Sequence, residues 1–357
     1  MQSAKRDILK AAKAAGLLAA ARARSARAVR ILCYHGLWLG DPVFGGDSMF
    51  MRPATFRRRM ELIRALGYPV VPLAAALDAL CGKGPTLPPA AVVITIDDGW
   101  ASTSIGMLPV LEALDMPATL YCDSAQLLRG GPRANVMAHY LDRVAALQPA
   151  AARTADIDFD GLAISRRAAA DLTASADERL QAATALGTAL GLDMHATLAT
   201  RTFDYMSPVE LAAAHARGLD VQLHTHNHTL GDMSRGAIES EVRQNRQSLA
   251  RILSTPPESF NAFCYPSGVT SDAAARTLAG LGLNSATTTV QALAWPGADM
   301  HLLPRLLDGE NLSEIEFEAE LSGFGDWLRA GRRAVRRVTG RAASRDGAAN
   351  APAMLRP

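Results

Sequence analysis

Val92-Val93-Ile94-Thr95-Ile96-Asp97-Asp98-Gly99-Trp100 decides how this chain is read. Five apolar or β-branched residues run straight into two adjacent carboxylates and a glycine. An apolar run of that length, closed by Gly, predicts a buried strand of a parallel sheet. Parallel α/β sheets carry their chemistry at the carboxyl ends of strands, which puts Asp97 and Asp98 at such an end. Neighbouring residues of an extended strand point to opposite faces. Both carboxylates serve one site only if the chain turns there, and Gly99 permits the turn. Taken alone, Asp-Asp-Gly is also an ordinary surface turn.

A second stretch changes that balance. Residues 219–228 read Leu-Asp-Val-Gln-Leu-His-Thr-His-Asn-His, a short strand pattern ending in His224, His226 and His228. Imidazole nitrogen is the commonest side-chain ligand for zinc and related ions, and an Asp oxygen completes such sets. A catalytic zinc site keeps three protein ligands and leaves one position open. One Asp from the first stretch and two His from the second supply that set. A turn after Thr225 lets His224 and His228 converge while His226 points elsewhere. The bland alternative is a surface His cluster, or a core His satisfied by backbone.

An apolar strand ending in Thr-x-Asp-Asp-Gly, followed far downstream by His-Thr-x-x-His, resembles the polysaccharide deacetylase family (carbohydrate esterase family 4, nodulation-type chitooligosaccharide deacetylases). The resemblance spans roughly residues 29–322. It implies that Asp97 is the general base and that Asp98, His224 and His228 bind a divalent metal, usually zinc, with Thr225 fixing the loop. The implied reaction is hydrolysis of an N-acetyl group on an amino-sugar-containing saccharide or glycolipid. A metal acidifies its water and polarises the carbonyl, and a carboxylate beside that water takes its proton.

The family pattern is incomplete further along. In Phe260-Asn-Ala-Phe-Cys264-Tyr-Pro266-Ser267-Gly268, Cys264 stands where the family has an Arg that orients the base. Pro266 and Gly268 fit, and the backbone near Ser267 is the implied oxyanion donor. The family's final Leu-x-His, whose His protonates the leaving amine, is not visible. Arg305 of Leu302-Leu-Pro-Arg305-Leu occupies about that place, as a substrate or oxyanion contact; a guanidinium cannot act as an acid. The proton donor is left open among His301, His35 and His226. His35 closes the first strand pattern, Val29-Arg-Ile-Leu-Cys-Tyr-His35, and is expected near the pocket. Two other readings stay open: a hydrolase of a non-sugar amide or cyclic imide, and a catalytically impaired carbohydrate-binding relative. A saccharide enzyme is expected to expose aromatics such as Trp38, Trp100 or Trp295 along an open groove.

With 357 residues, 49% hydrophobic and 20% charged, the chain is globular in composition. The expected fold is α/β, a distorted (β/α) barrel of about seven parallel strands with a helical insertion at about 124–206 and basic terminal helices. Three segments follow: 1–28, a basic amphipathic helix; 29–322, the catalytic barrel; 323–357, a basic helix and tail. The four cysteines have no paired spacing and read as buried free thiols. No run approaches the ~20 apolar residues of a membrane span. Lys10, Lys13, Arg22 and Arg24 interrupt any signal-peptide core, so a cytoplasmic location is expected. Residues 1–30 carry eight basic residues against Asp7, and 325–357 eight against Asp326 and Asp346. Such helices suit peripheral contact with an anionic membrane. No aromatic platform accompanies the charge, so nucleic acid is not an expected partner.

Elsewhere helix, strand and loop alternate. Helices are expected at 53–66, 73–81, 101–116, 208–216, 234–253 and 270–282, and strands at 68–72, 117–123, 284–289 and 302–306. Inside the insertion, helices are expected at 134–148, 164–174 and 176–190. There Asp156, Asp158 and Asp160 alternate with apolar residues in a short strand over 155–163.

Overall fold

The computed structural model describes residues 2–40, 47–147, 173–231 and 233–338. After two short helices, α1 (Gln2–Ala14) and α2 (Leu17–Arg24), the first strand is β1 (Arg30–Tyr34). A two-residue parallel ribbon, β2 (Gly36–Leu37) with β3 (Phe50–Met51), then folds over the end of β1. Helices α3 (Pro53–Ala65) and α4 (Leu73–Leu80) lead to β4 (Val92–Asp98). The helix α5 (Leu108–Ala113), the strand β5 (Ala118–Cys122) and α6 (Ser124–Arg129) follow. The insertion contributes α7 (Ala134–Leu147), α8 (Ala176–Ala189) and α9 (Met194–Ala199). The rhythm resumes with α10 (Pro208–Ala216), β6 (Asp220–Leu223), α11 (Arg235–Leu253), β7 (Ala262–Cys264), α12 (Asp272–Gly280), β8 (Ser285–Gln291) and β9 (Leu303–Leu307). The chain ends its described part in α13 (Glu314–Leu321) and α14 (Phe324–Val338).

Seven strands close a barrel in the order β1-β4-β5-β6-β7-β8-β9, every pair parallel. Closure comes from β9 returning to β1, with Leu32 opposite Leu306. The apolar runs read as strands because they are buried on both sides. Val93 and Ile31 pack inward with Tyr121, Ala262, Cys264 and Leu303, and Leu73, Leu77 and Leu80 of α4 join them at the amino-terminal end. The alternate residues Leu32, Ile94, Ile96, Leu120 and Phe263 face outward and pack with Met60, Leu111, Ile238 and Leu278 of the surrounding helices. Each such side chain, taken from water, contributes ~1.5–3 kcal/mol. The alternation fixes the register, and with it puts Thr95 and Asp97 on the inward face at the carboxyl end.

The outer helices end as their sequences require. Ser207 caps α10 by accepting from Glu210 N, and the Glu210 side chain returns the bond to Ser207 N. Pro53 opens α3 at its first turn. The terminal helices α1, α2, α13 and α14 form one layer around Leu9, Leu18, Ala21, Ala319 and Phe324. The basic residues of α1 are used there: Lys5 and Lys13 each lie 2.7 Å from a carboxylate of α13, Glu316 and Glu318.

Three expectations change, and a fourth region lies outside what the structure describes. The segment 68–72 makes only a single bridge, Val70 to Val92, because Pro69 and Pro72 remove ladder donors. Residues 101–116 are not one α-helix; a π-turn spans Thr103–Met107 before α5, where Pro109 takes the first turn. Cys81 is exposed at the end of α4, whereas Cys33, Cys122 and Cys264 are buried. The strand expected at 155–163 lies outside the described residues, as does the helix at 164–174 but for its last two positions, which form a turn.

Candidate active site

The chain leaves the strand conformation at Asp98 itself, which adopts φ 78°, one residue earlier than Gly99 at 121°. A non-Gly residue in the left-handed region is uncommon and strained. The turn swings Asp98 onto the same mouth as Asp97, which keeps its inward strand direction. A side chain at Gly99 would be strained by its φ of 121°, and its Cβ would press on Cys122 Sγ at 3.0 Å.

The histidine stretch turns in the same way. β6 ends at Leu223, and Thr225 takes φ 67° and His228 φ 55°. His224 Nε2 lies 3.3 Å and His228 Nε2 3.2 Å from the same oxygen, Asp98 Oδ1. These three side chains form a group able to hold a metal ion. Ligands ~2.0–2.2 Å from a tetrahedral ion lie roughly 3.3–3.6 Å apart, so the spacing fits such an ion with little adjustment. His224 Nδ1 contacts Cys264 O at 2.8 Å, so Nδ1 is the donor and Nε2 keeps its lone pair for the centre. Trp100 Nε1 donates to the other carboxylate oxygen, Asp98 Oδ2, at 2.8 Å. Burial works against the Asp98 charge, and the two imidazoles outweigh it, holding the carboxyl well below its ordinary range.

The loop carrying His228 is held from below. Glu241 of α11 accepts from His226 N and from both Asn227 N and Nδ2. Asn245, one turn on, accepts from His224 N and donates to Cys122 O and Ser124 Oγ. His226 turns away, its Nδ1 2.8 Å from Ser124 Oγ.

Asp97 sits beneath the mouth, 2% exposed. Arg305 of β9 grips it in a fork: Nη1 donates to Oδ1 at 2.7 Å and Nη2 to Oδ2 at 2.6 Å. The remaining Arg305 donors go to Thr288 O, Thr95 Oγ1 and Cys264 Sγ. The thiols of Cys33 and Cys264 approach Asp97 Oδ2 at 3.6 and 3.5 Å. Burial would push the Asp97 carboxyl up; the Arg305 charge and hydrogen bonds overcome it and hold Asp97 at about 2.

Arg305 is therefore a partner of Asp97 and not a substrate contact; it is wholly buried, outside the pocket lining. The signal for this was present in the sequence. A charge inside the run Leu-Leu-Pro-Arg-Leu has to be buried, and a buried guanidinium needs a carboxylate or a full set of neutral acceptors within reach. The arginine absent at position 264 is supplied by the neighbouring strands' far side, two strands on.

The remaining candidates separate clearly. His35, Ser267 and Gly268 line the pocket with Asp97, Asp98, His224 and His228. Ser267 holds φ 53°, and a Cβ on Gly268 would collide with Thr289, so this turn is closely fitted. Pro266 is buried behind it. His35 Nε2 lies 3.8 Å from Asp97 Oδ2, and its Nδ1 is buried without a hydrogen-bond partner. His301 sits where β9 begins, the end opposite the carboxylates, with Nε2 bonded to Leu283 O. Trp295 also lies at that opposite end, beside the bridge from Val29 to Ala294. Trp100 is buried and Trp38 half-buried against Tyr140 and Phe203. The sequence reading missed Trp100 as a hydrogen-bond partner, Glu241 and Asn245 as loop anchors, and Arg133, which reaches the pocket from the insertion.

The pocket over these groups is small, about 30 Å³.

A polysaccharide deacetylase family model matches residues 173–286, the span that carries His224 and His228. Among solved structures, the chain is similar to the IcaB protein of Ammonifex degensii at 16% identity, covering 83% of this chain and 97% of that one, with a TM-score of 0.53. It is similar to the deacetylase PplD of Streptococcus pyogenes, solved with acetate, at 16% identity over 80% and 94% of the two chains, TM-score 0.52. A de-N-acetylase of Aggregatibacter actinomycetemcomitans matches at 15% identity over 82% and 99%, TM-score 0.52. A comparison with curated protein sequences returns no match. At these identities the structures speak for the shared barrel alone, while the family model ties residues 173–286 of this sequence, with His224 and His228, to the polysaccharide deacetylases.

Proposed function

We propose that the chain is a metal-dependent N-deacetylase of an amino-sugar-containing saccharide or glycolipid, with Asp98, His224 and His228 as ligands and Asp97 as base. The observation that carries this reading is the convergence of two imidazoles on one oxygen of Asp98, beside a second carboxylate kept ionised by a forked arginine. A divalent ion, zinc by the donor set of one carboxylate and two imidazoles, supplies Lewis acidity toward water and the acetyl carbonyl.

The chain's own groups do the rest. Asp97 takes a proton from the attacking water, and Arg305 keeps that carboxylate charged and aimed beforehand. The small pocket fixes the acetyl group beside it and excludes bulk water. Main-chain N–H near Ser267 faces the developing oxyanion. His35 delivers the proton to the leaving amine nitrogen. Of the three candidates it alone lines the pocket, since His226 is tied to Ser124 and His301 is at the far end of the barrel.

The test is metal content and acetate release measured together. Wild type, Asp97→Asn and His35→Gln are assayed on N-acetylglucosamine oligomers and lipid-linked N-acetyl sugars. About one zinc per chain in all three, with acetate released by wild type and release lowered ~10²–10⁴-fold by each variant, supports the roles. Zinc bound without acetate from any sugar moves the substrate to a non-sugar amide. No zinc in any of them removes the ligand assignment.

A further inference from the structure

Beside the Asp98 centre lies a second cavity of about 430 Å³, within the ~300–1,000 Å³ of small-ligand sites. Arg133 and Asn135 line both cavities, so the two are neighbours through one wall. Among the described residues the larger cavity is lined by Arg129, Arg133 and Arg179 against one carboxylate, Asp177.

These arginines are not alike. Arg133 is seated: its Nη1 donates to Tyr205 Oη at 2.7 Å and lies 3.6 Å from Asp123 Oδ2. Its side chain is 16% exposed, and both contacts use one nitrogen of a five-donor fork. Arg129 is exposed, and its contact is the neutral Gln126 Oε1 at 3.3 Å. The cavity also opens on Ala134, where the 14-residue α7 begins. A helix start adds partial positive charge and unused N–H groups to those cations. Guanidinium forks with a helix start form the donor set for a planar or tetrahedral oxyanion.

Among the described residues little stacking surface faces the same mouth, since Trp100 and Tyr265 line the small pocket but are buried. Trp295 is at the other end of the barrel. Recognition of a sugar here has charge to work with and little aromatic surface.

We propose that this cavity binds an oxyanion, phosphoryl or carboxylate, carried by the saccharide whose N-acetyl group enters the Asp98 centre. The identity of the ligand as a saccharide rests on the deacetylase reading; the anion does not.

The experiment separates the two. Three probes are titrated calorimetrically into the zinc-loaded protein: N-acetylglucosamine, its 1-phosphate, and N-acetylglucosaminuronate. At least one anionic probe is expected to bind about tenfold tighter than the neutral sugar, and which one names the source of the oxyanion. That preference should shrink as ionic strength rises from ~0.05 to ~0.5 M. In the Arg129→Gln/Arg179→Gln double variant it should fall to about twofold. If the double variant does not fold, the exposed Arg129→Gln alone carries the comparison and should lose a measurable part of the preference. Equal affinity for all three probes overturns the proposal. So does an anion preference unchanged in the variants, because the anion then sits on the ion and not in the cavity. Acetate release is followed on the same samples. Anion preference with no release from any sugar removes the deacetylase reading and leaves the anion site standing.

Discussion

The two ends of the barrel each bury an arginine completely, and the two are held in opposite ways. At the carboxyl end Arg305 faces a full negative charge, Asp97, in a two-pronged contact. At the amino-terminal end Arg30 meets only neutral acceptors: Leu321 O, Ser25 O, Ala28 O and Ser25 Oγ. Burial pulls Arg30 down to about 10, with Tyr68 opposing it. Burial also works against Arg305, but Asp97 reverses the direction and raises it well above its ordinary value. A cation solvated by carbonyls is a structural tie; here it joins β1 to α2 and α13. A cation paired with a carboxylate organises charge where charge is used. The same residue type therefore serves stability at one end and, on the proposed function, chemistry at the other, and the partner decides which.

The comparison predicts different failures. Arg305→Met leaves Asp97 buried and unpaired, which should cost about 3–5 kcal/mol in urea unfolding. Acetate release per folded molecule should also fall at least ~100-fold. Unchanged release would mean that Asp97 does not need its partner. Arg30→Met should cost about 2–3 kcal/mol, the worth of hydrogen bonds to a charged group, while release per folded molecule is unchanged. A matching loss of activity would erase the distinction between the ends.

Trp100→Phe removes the bond that fixes Asp98 Oδ2 and should weaken zinc by ~10–100-fold in competition with a chelator. Moving the arginine tests whether its place matters or only its charge. Arg305→Met combined with Cys264→Arg should recover at least ~tenfold of the lost release, or ~1.4 kcal/mol. No recovery would tie Asp97 to the β9 position specifically. The smallest effect concerns the base layer. Glu316 is buried, which alone would raise it, but Lys5 and Ser313 hold it at about 2, against 4.5 ordinarily. A depressed acid stabilises above its ordinary value and loses that contribution as pH falls through about 2. Wild type and Glu316→Gln should therefore differ in thermal midpoint at pH 6 and converge near pH 2.

Most of the barrel could be read from the chain because its strands are buried on both faces. Runs such as Val92–Ile96 and Ala118–Cys122 have no other stable use. Helices with Pro or Ser at their starts, such as α3 and α10, carried their own punctuation. What failed was context that no local pattern holds. The π-turn at Thr103–Met107 lies where Gly106 must pass Leu37, a contact with a residue some 70 positions away. That one carboxylate of the Asp pair and two of the three histidines would converge followed from their spacing at strand ends; the choice of Asp98 among them was what the family resemblance implied. The place of Arg305 did not follow, because the strand that would bring it to Asp97 is set by barrel closure. Arg133 was invisible for the same reason: only the packing of the insertion over the mouth places it there.

The pairing of β1 with β9 also sets a timetable. Asp97 is made about 200 residues before the arginine that holds it, and the ring of strands cannot shut until the last is available. A chain emerging from synthesis thus carries the carboxylates and histidines long before it can arrange them. Contacts so far apart in sequence form late and slow folding. Activity should switch on all at once with the final strand, so truncation just before Leu303 should give a species with every ligand present and no working centre.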